Sequence, residues 1–73
     1  MKRKSLDCRG LLCPLPVLEA AKALKKLTPP FILTVISDDP VAPRDFRAFA
    51  KQRKLRLEIG PFSFRLSRAR IPG

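Results

Sequence analysis

Cys13-Pro14-Leu15-Pro16 is the stretch of this chain best equipped for chemistry. Proline is tolerated in the first turn of a helix, where its missing N–H would have no intrahelical partner and its fixed φ already fits. The tetrapeptide predicts a stiff start to a helix that continues from Val17 to Leu27. Cys13 then falls at or next to the N-cap, where unpaired N–H groups and the helix dipole favour negative charge. Because Pro14 and Pro16 carry no N–H, that of Leu15 is the first-turn donor left for the sulfur. Position alone therefore predicts a Cys13 thiol that ionises below the free-cysteine value of about 8.5, with Arg9 as a nearby cation. The thiolate is the nucleophile; the bland alternative is a small apolar filler.

The other groups with chemical potential are few. Cys8 reads either as a resolving cysteine for Cys13 or as an inward-facing core residue. The core role is favoured, since the spacing is not the C-x-x-C of thioredoxin-like motifs. Asp7 and Asp39 read as turn-capping carboxylates near the helix start, and Gly10 as a backbone requirement of the turn. The chain has no histidine. That removes Cys-His and Ser-His nucleophile pairs and the usual imidazole metal ligand. Two cysteines are too few for a disulfide scaffold or a four-ligand zinc site, so no metal is expected.

Six elements are needed to position Cys13. Leu6-Asp7-Cys8 alternates and reads as a short first strand, with Cys8 and Leu6 on the inward face. In the first helix Val17, Leu18, Ala21 and Leu24 form one apolar stripe, and Thr28-Pro29-Pro30 ends it. Phe31 to Ile36 is β-branched and apolar, an interior strand closed by Asp38-Asp39-Pro40. A second helix is expected from about Pro43 to Arg53, with Phe46, Phe49 and Ala50 as its stripe and Asp45 in its first turn. The alternations at Leu55-Leu57-Ile59 and Phe62-Phe64-Leu66 predict a hairpin turning at Gly60-Pro61, with Gly60 at φ > 0. Ile59 would face Phe62, Leu57 would face Phe64, and Arg56 would oppose Arg65. The expected fold is an α/β two-layer sandwich, β-α-β-α-β-β, with two helices on one face of a four-stranded sheet. Residues 1–73 make a single domain, with 1–4 and 69–73 read as frayed ends.

A net charge of +10 is large for 73 residues and unevenly spread. After Asp45 there are eight basic side chains against Glu58 alone. Such a surface attracts an acidic protein, nucleic acid or anionic lipid. The absence of Trp and Tyr, with most of the five Phe on core faces, argues against a base-stacking platform. Nothing approaches the ~20 apolar residues that span a membrane. Asp7 and Arg9 interrupt any signal-peptide-like run after Lys2-Arg3-Lys4. A reducing cytoplasm is the compartment expected.

The stretch Leu6-Asp7-Cys8-Arg9-Gly10-Leu11-Leu12-Cys13-Pro14-Leu15-Pro16 resembles the signature of the TusA-like (SirA-like) sulfur-carrier family, and Asp38-Asp39-Pro40 fits as well. The resemblance covers roughly Ser5 to Arg68 and implies a mixed sheet in which the fourth strand lies between the second and third. It also implies a stoichiometric sulfurtransferase that holds sulfur as a persulfide on Cys13, with no cofactor beyond that transient group. Asp7, Gly10, Pro14, Pro16 and Asp39 are the matching support positions. The implied partners are a sulfur donor, such as a cysteine desulfurase or rhodanese-like protein, and an acceptor protein in tRNA thiolation, sulfur metabolism or cofactor assembly. Relatives often carry glycine after each helix, where this chain has Pro29-Pro30 and Arg53-Lys54. The basic last third, with Arg56 and Arg65, is the candidate docking surface. The competing readings are a nucleic-acid-binding module and a basic docking module without sulfur chemistry.

Overall fold

The computed structural model describes residues 2–69. Its elements run β1 (Lys2–Asp7), α1 (Leu15–Leu24), β2 (Phe31–Ile36), α2 (Ala42–Arg53), β3 (Arg56–Gly60) and β4 (Ser63–Arg68). The sheet order is β1-β2-β4-β3, with β1 parallel to β2 and the other neighbours antiparallel. The expected element order and mixed sheet are therefore present, with β4 between β2 and β3. No helix among the described residues is long and apolar enough to cross a membrane.

Sheet alternation divides the side chains cleanly. Phe31, Leu33 and Val35 of β2 and Phe64 and Leu66 of β4 are buried. Phe46 of α2 is fully covered and stacks on Phe64 at 4.7 Å between ring centroids, with Phe49 edge-on to it at 6.3 Å. The registers place Arg3, Thr34, Arg65 and Glu58 on the opposite face, which no helix covers.

Four local expectations are corrected. First, β1 begins at Lys2, paired with Phe31, so residues 2–4 are laid into the sheet rather than frayed. The ladder against β2 supplies backbone partners, while the basic side chains of this edge strand stay exposed to water. Beyond Ala69, the expected frayed end lies outside the described residues. Second, α1 is regular only to Leu24, and Lys25 to Leu27 form a tighter turn. Third, its buried face is Pro16, Ala20 and Ala23, while Leu18 is 49% exposed. Apolar residues occur almost all round this helix, so periodicity could not choose a side; small residues let it sit close to the sheet.

Fourth, the hairpin turns at Pro61-Phe62 rather than Gly60-Pro61. Gly60 pairs with Ser63, Ile59 with Phe64, Glu58 with Arg65 and Leu57 with Leu66. Proline suits the first central position of a turn, and Phe62 takes the positive φ of 56° expected of Gly60. This slip of two residues keeps the core face intact. It also replaces the unfavourable Arg56–Arg65 pair by Arg65 opposite Glu58, 4.0 Å apart, and leaves Phe62 67% exposed at the tip.

The end of α2 shows how the chain manages without a glycine. The Leu55 N–H donates to the Ala50 carbonyl and the Lys54 N–H to the Lys51 carbonyl, the two bonds of a Schellman motif. Lys54 takes the left-handed conformation that glycine normally supplies there, at φ 57° and ψ 44°. An L-residue costs roughly 1–2 kcal/mol in that region, partly offset by the greater unfolded-state freedom of glycine. Lys54→Gly is therefore expected to stabilise the protein by about 0.5–1 kcal/mol, a rise of several degrees in Tm on thermal denaturation.

Candidate functional site

The two parallel strands end side by side, Asp7 opposite Ile36. Each is followed by a loop and then a helix, so both loops and both helix starts gather at one end of the sheet. In open α/β sheets this crevice beyond the strand ends is where sites are assembled. The loop after β1 carries Cys13, and the loop after β2 carries Asp38 and Asp39.

Carboxylates knit the two loops together. The Asp39 Oδ2 accepts the Cys13 N–H at 2.7 Å, and its Oδ1 accepts the Val41 N–H at 3.0 Å. Asp39 is 7% exposed, and its own N–H donates to the Ser37 Oγ at 3.3 Å. Asp38 accepts the Gly10 N–H at 3.0 Å, and Gly10 stands at φ 83°, where any side chain would be strained. Asp7 acts within its own loop. It accepts the Arg9 backbone N–H at 3.1 Å and the Arg9 guanidinium at 2.9 and 2.8 Å. The Arg9 side chain and backbone N–H together hold the Asp7 carboxyl down to about 2. Arg9 is thus committed to Asp7, not to the sulfur. Asp7 closes β1, while Gly10, Asp39, Pro14 and Pro16 belong to the two loops or the α1 start, and Asp38, read in the sequence only within Asp38-Asp39-Pro40, joins them as a support.

Pro14 is the N-cap of α1, with Pro16 in its first turn, and Cys13 is the residue before the cap. Cys13 is an exposed free thiol. Cys8, the other thiol, is 2% exposed in the hydrophobic core beside Leu6, which is the core role expected of it. Burial, with the nearby charges of Glu19 and Asp7, pushes the Cys8 thiol up. Cys13 opens into a groove of about 220 Å³ between α1 and α2, lined also by Pro14, Val17, Asp45, Ala48, Phe49 and Gln52. Arg53 closes over the Phe49 ring at 4.9 Å. The α2 contribution went unrecognised in the sequence, although Asp45, Ala48, Phe49 and Gln52 are spaced as one helical stripe.

This arrangement corrects the expected acidity of Cys13. The Leu15 N–H, the donor expected to serve the sulfur, bonds the Leu12 carbonyl at 2.9 Å instead. The Asp45 carboxylate is the side chain placed to accept a hydrogen bond from the thiol. The Asp45 carboxylate as an acceptor facing the thiol, partial desolvation and the charges of Asp45 and Asp39 push the Cys13 thiol up from its ordinary value, against a smaller opposing effect of Arg44. A hydrogen bond made by the neutral form and adjacent like charge both disfavour the anion. Two carboxylates outweigh a helix start whose donors are deleted by proline or used by the turn.

With this geometry in place, similarity to known proteins becomes interpretable. Residues 4–67 match the family model described as sulfurtransferase TusA. A provisionally named sulfur carrier protein of Neisseria meningitidis serogroup A is 48% identical over 52 residues, 71% of this chain and 70% of the relative. The sulfur carrier protein TusA of Allochromatium vinosum is 49% identical over 49 residues, 67% of this chain and 64% of the relative. A provisionally named sulfur carrier protein of Archaeoglobus fulgidus is 39% identical over 49 residues.

The Asp39 clamp yields a direct test. Hydrogen bonds to charged groups are worth roughly 1.5–3 kcal/mol each, less where water can replace the lost partner. Asp39→Ala is expected to lower stability by about 2–3 kcal/mol in urea unfolding. It should also speed amide hydrogen exchange at Cys13 and Val41 well beyond that of the sheet, with Asp39→Asn intermediate.

Proposed function

The chain belongs to the sulfurtransferase TusA family, and we propose that it works as a sulfur carrier that holds sulfane sulfur as a persulfide on Cys13. The observation that carries the site assignment is the contrast between the two thiols: Cys13 is exposed at the mouth of the interhelical groove, and Cys8 is sealed in the core.

The chemistry needs only a positioned sulfur and a docked partner. The Cys13 Sγ, as thiolate, attacks the outer sulfur of a donor persulfide. A new S–S bond forms, the donor's S–S bond breaks, and the electron pair leaves on the donor's cysteine, which takes up the proton that Cys13 lost. The exchange is redox-neutral: one thiol and one persulfide give one persulfide and one thiol. Delivery repeats the step with an acceptor thiolate attacking the Cys13 persulfide. No cofactor is required, and a reducing cytoplasm is the compartment that would keep both thiols available. A cysteine desulfurase or rhodanese-like protein has the chemistry to supply the sulfur.

Intact-mass measurement after incubation with a cysteine desulfurase and cysteine tests the assignment. Wild type and Cys8→Ser should gain sulfur-atom adducts, and Cys13→Ser should lose them. A full adduct on Cys13→Ser would overturn it.

Leu12, Leu15 and Leu18 are 67%, 45% and 49% exposed beside the thiol and supply an apolar seat for a partner. Arg56 and Arg65 stand on the uncovered face of the sheet, in the other layer from the groove. From there they act by steering an acidic partner toward encounter. Replacing both with glutamine should slow sulfur delivery several-fold at low salt and flatten its salt dependence. Unchanged delivery rates at low salt would count against a steering role.

A further inference from the structure

The sulfur of this strongly basic chain lies in a locally acidic setting. From the loop after β2, Asp39 grips the Cys13 N–H at 2.7 Å and fixes where the residue stands. From α2, Asp45 lines the same groove as Cys13, its side chain 22% exposed. The charged neighbour of Asp45 is Arg44, with the Nε 3.8 Å from the carboxylate and a side chain 81% exposed. A contact that long and that wet neutralises little. From α1 and its cap, Pro14 and Val17 bring no charge, Gln52 is neutral, and Arg9 is held by Asp7.

We propose that Asp45 is a selectivity residue: as the charged side chain lining the groove into which Cys13 opens, it reserves the Cys13 sulfur for partners that bring a cationic side chain into that groove. The proposal rests on Cys13 being the sulfur-bearing residue. A lysine or arginine set against Asp45 would draw the carboxylate away from the thiol and cancel its field. The Cys13 proton then passes to water and finally to the donor's departing thiolate, so the balance of the transfer is unchanged. Small neutral or anionic electrophiles bring no such cation and meet a quiet thiol. The loaded carrier obeys the same rule, because delivery to an attacking thiolate makes the Cys13 sulfur depart as an anion, which the nearby carboxylates disfavour until a cation is supplied. A fitting partner is therefore acidic overall, for steered encounter, and cationic at the side chain that enters the groove.

The test reads the local field without any sulfur donor. On a Cys8→Ser background at low salt, the rate of mixed-disulfide formation is compared for cystamine, a cationic disulfide, and dithiodiglycolate, an anionic one. In each case the Cys13 thiolate attacks one sulfur and a small thiolate departs. The overall charge of +10 would favour the anion. Wild type is nevertheless expected to react at least tenfold faster with cystamine. Asp45→Asn should collapse or invert that ratio, and Asp45→Glu should restore it. With neutral iodoacetamide, the alkylation midpoint should stand at or above that of free cysteine in wild type and move down in Asp45→Asn. The thiolate gained outweighs the nucleophilicity lost, so alkylation near pH 7 should rise about threefold per unit of that movement. Faster reaction with the anion in wild type, or an unaltered midpoint in Asp45→Asn, would overturn the proposal. The wild-type comparison stands even if a variant fails to fold. Failure of sulfur loading in the mass experiment would instead strike the carrier assignment.

Discussion

One carboxylate ties the reactive loop to the rest of the molecule. Asp39 accepts from the Cys13 N–H with one oxygen and the Val41 N–H with the other, and its backbone carbonyl accepts the Ala42 N–H at 3.0 Å. Val41 is the N-cap of α2, so the same residue that closes the start of one helix holds the residue before the start of the other. A buried anion is costly unless fully hydrogen-bonded. Here its partners are backbone donors at a helix N-terminus, where negative charge is favoured. Without that tie, the chain between β1 and α1 would be held near its start, by the Cys8 N–H bond to the Ile36 carbonyl at 2.7 Å, the Asp7–Arg9 turn and the Asp38 contact to Gly10, rather than at Cys13 itself.

The acidic surroundings of the sulfur follow from this solution. A loop clamped by a carboxylate inevitably brings negative charge near the thiol, and Asp45 adds more from the first turns of α2. The protein thus holds its nucleophile by means that restrain it. For a carrier the compromise is coherent, because a sulfur that reacts with any passing electrophile cannot be relayed to a chosen acceptor. The basic excess is spread over the helices and the sheet, with Arg3, Arg56 and Arg65 on the uncovered sheet face, away from the groove that holds the sulfur.

Much of the fold could be read from the residues, and the errors have physical causes. Phe31–Ile36 was legible as a β-branched, apolar run closed off by prolines and aspartates, and the Phe46-Phe49-Ala50 stripe by its helical spacing. The buried face of α1 was not, since Leu15, Val17, Leu18, Ala20, Ala21, Ala23 and Leu24 surround a polar side of only Glu19 and Lys22, too narrow to orient it. The turn of the hairpin was misplaced because glycine ordinarily takes the positive φ, and here Phe62 does. At the site, Cys13 and its prolines were visible as a contiguous signature. Its acidity was not, because the decisive groups are Asp39 and Asp45, which reach it only through the fold. Local reasoning saw the helix dipole and missed the carboxylates.

The way α1 divides its labour has a further consequence. It meets the sheet through Pro16, Ala20 and Ala23, residues with little volume to vary, and turns Leu15 and Leu18 outward. Substitutions on the outward side leave packing density in the core untouched, whereas those on the inward side would lift the helix from the sheet. On the proposed reading of these leucines as a partner's seat, partner preference and foldedness are separately adjustable. A library varied among helix-compatible residues at Leu12, Leu15 and Leu18 would then sample acceptors while its members kept the same scaffold and the same sulfur.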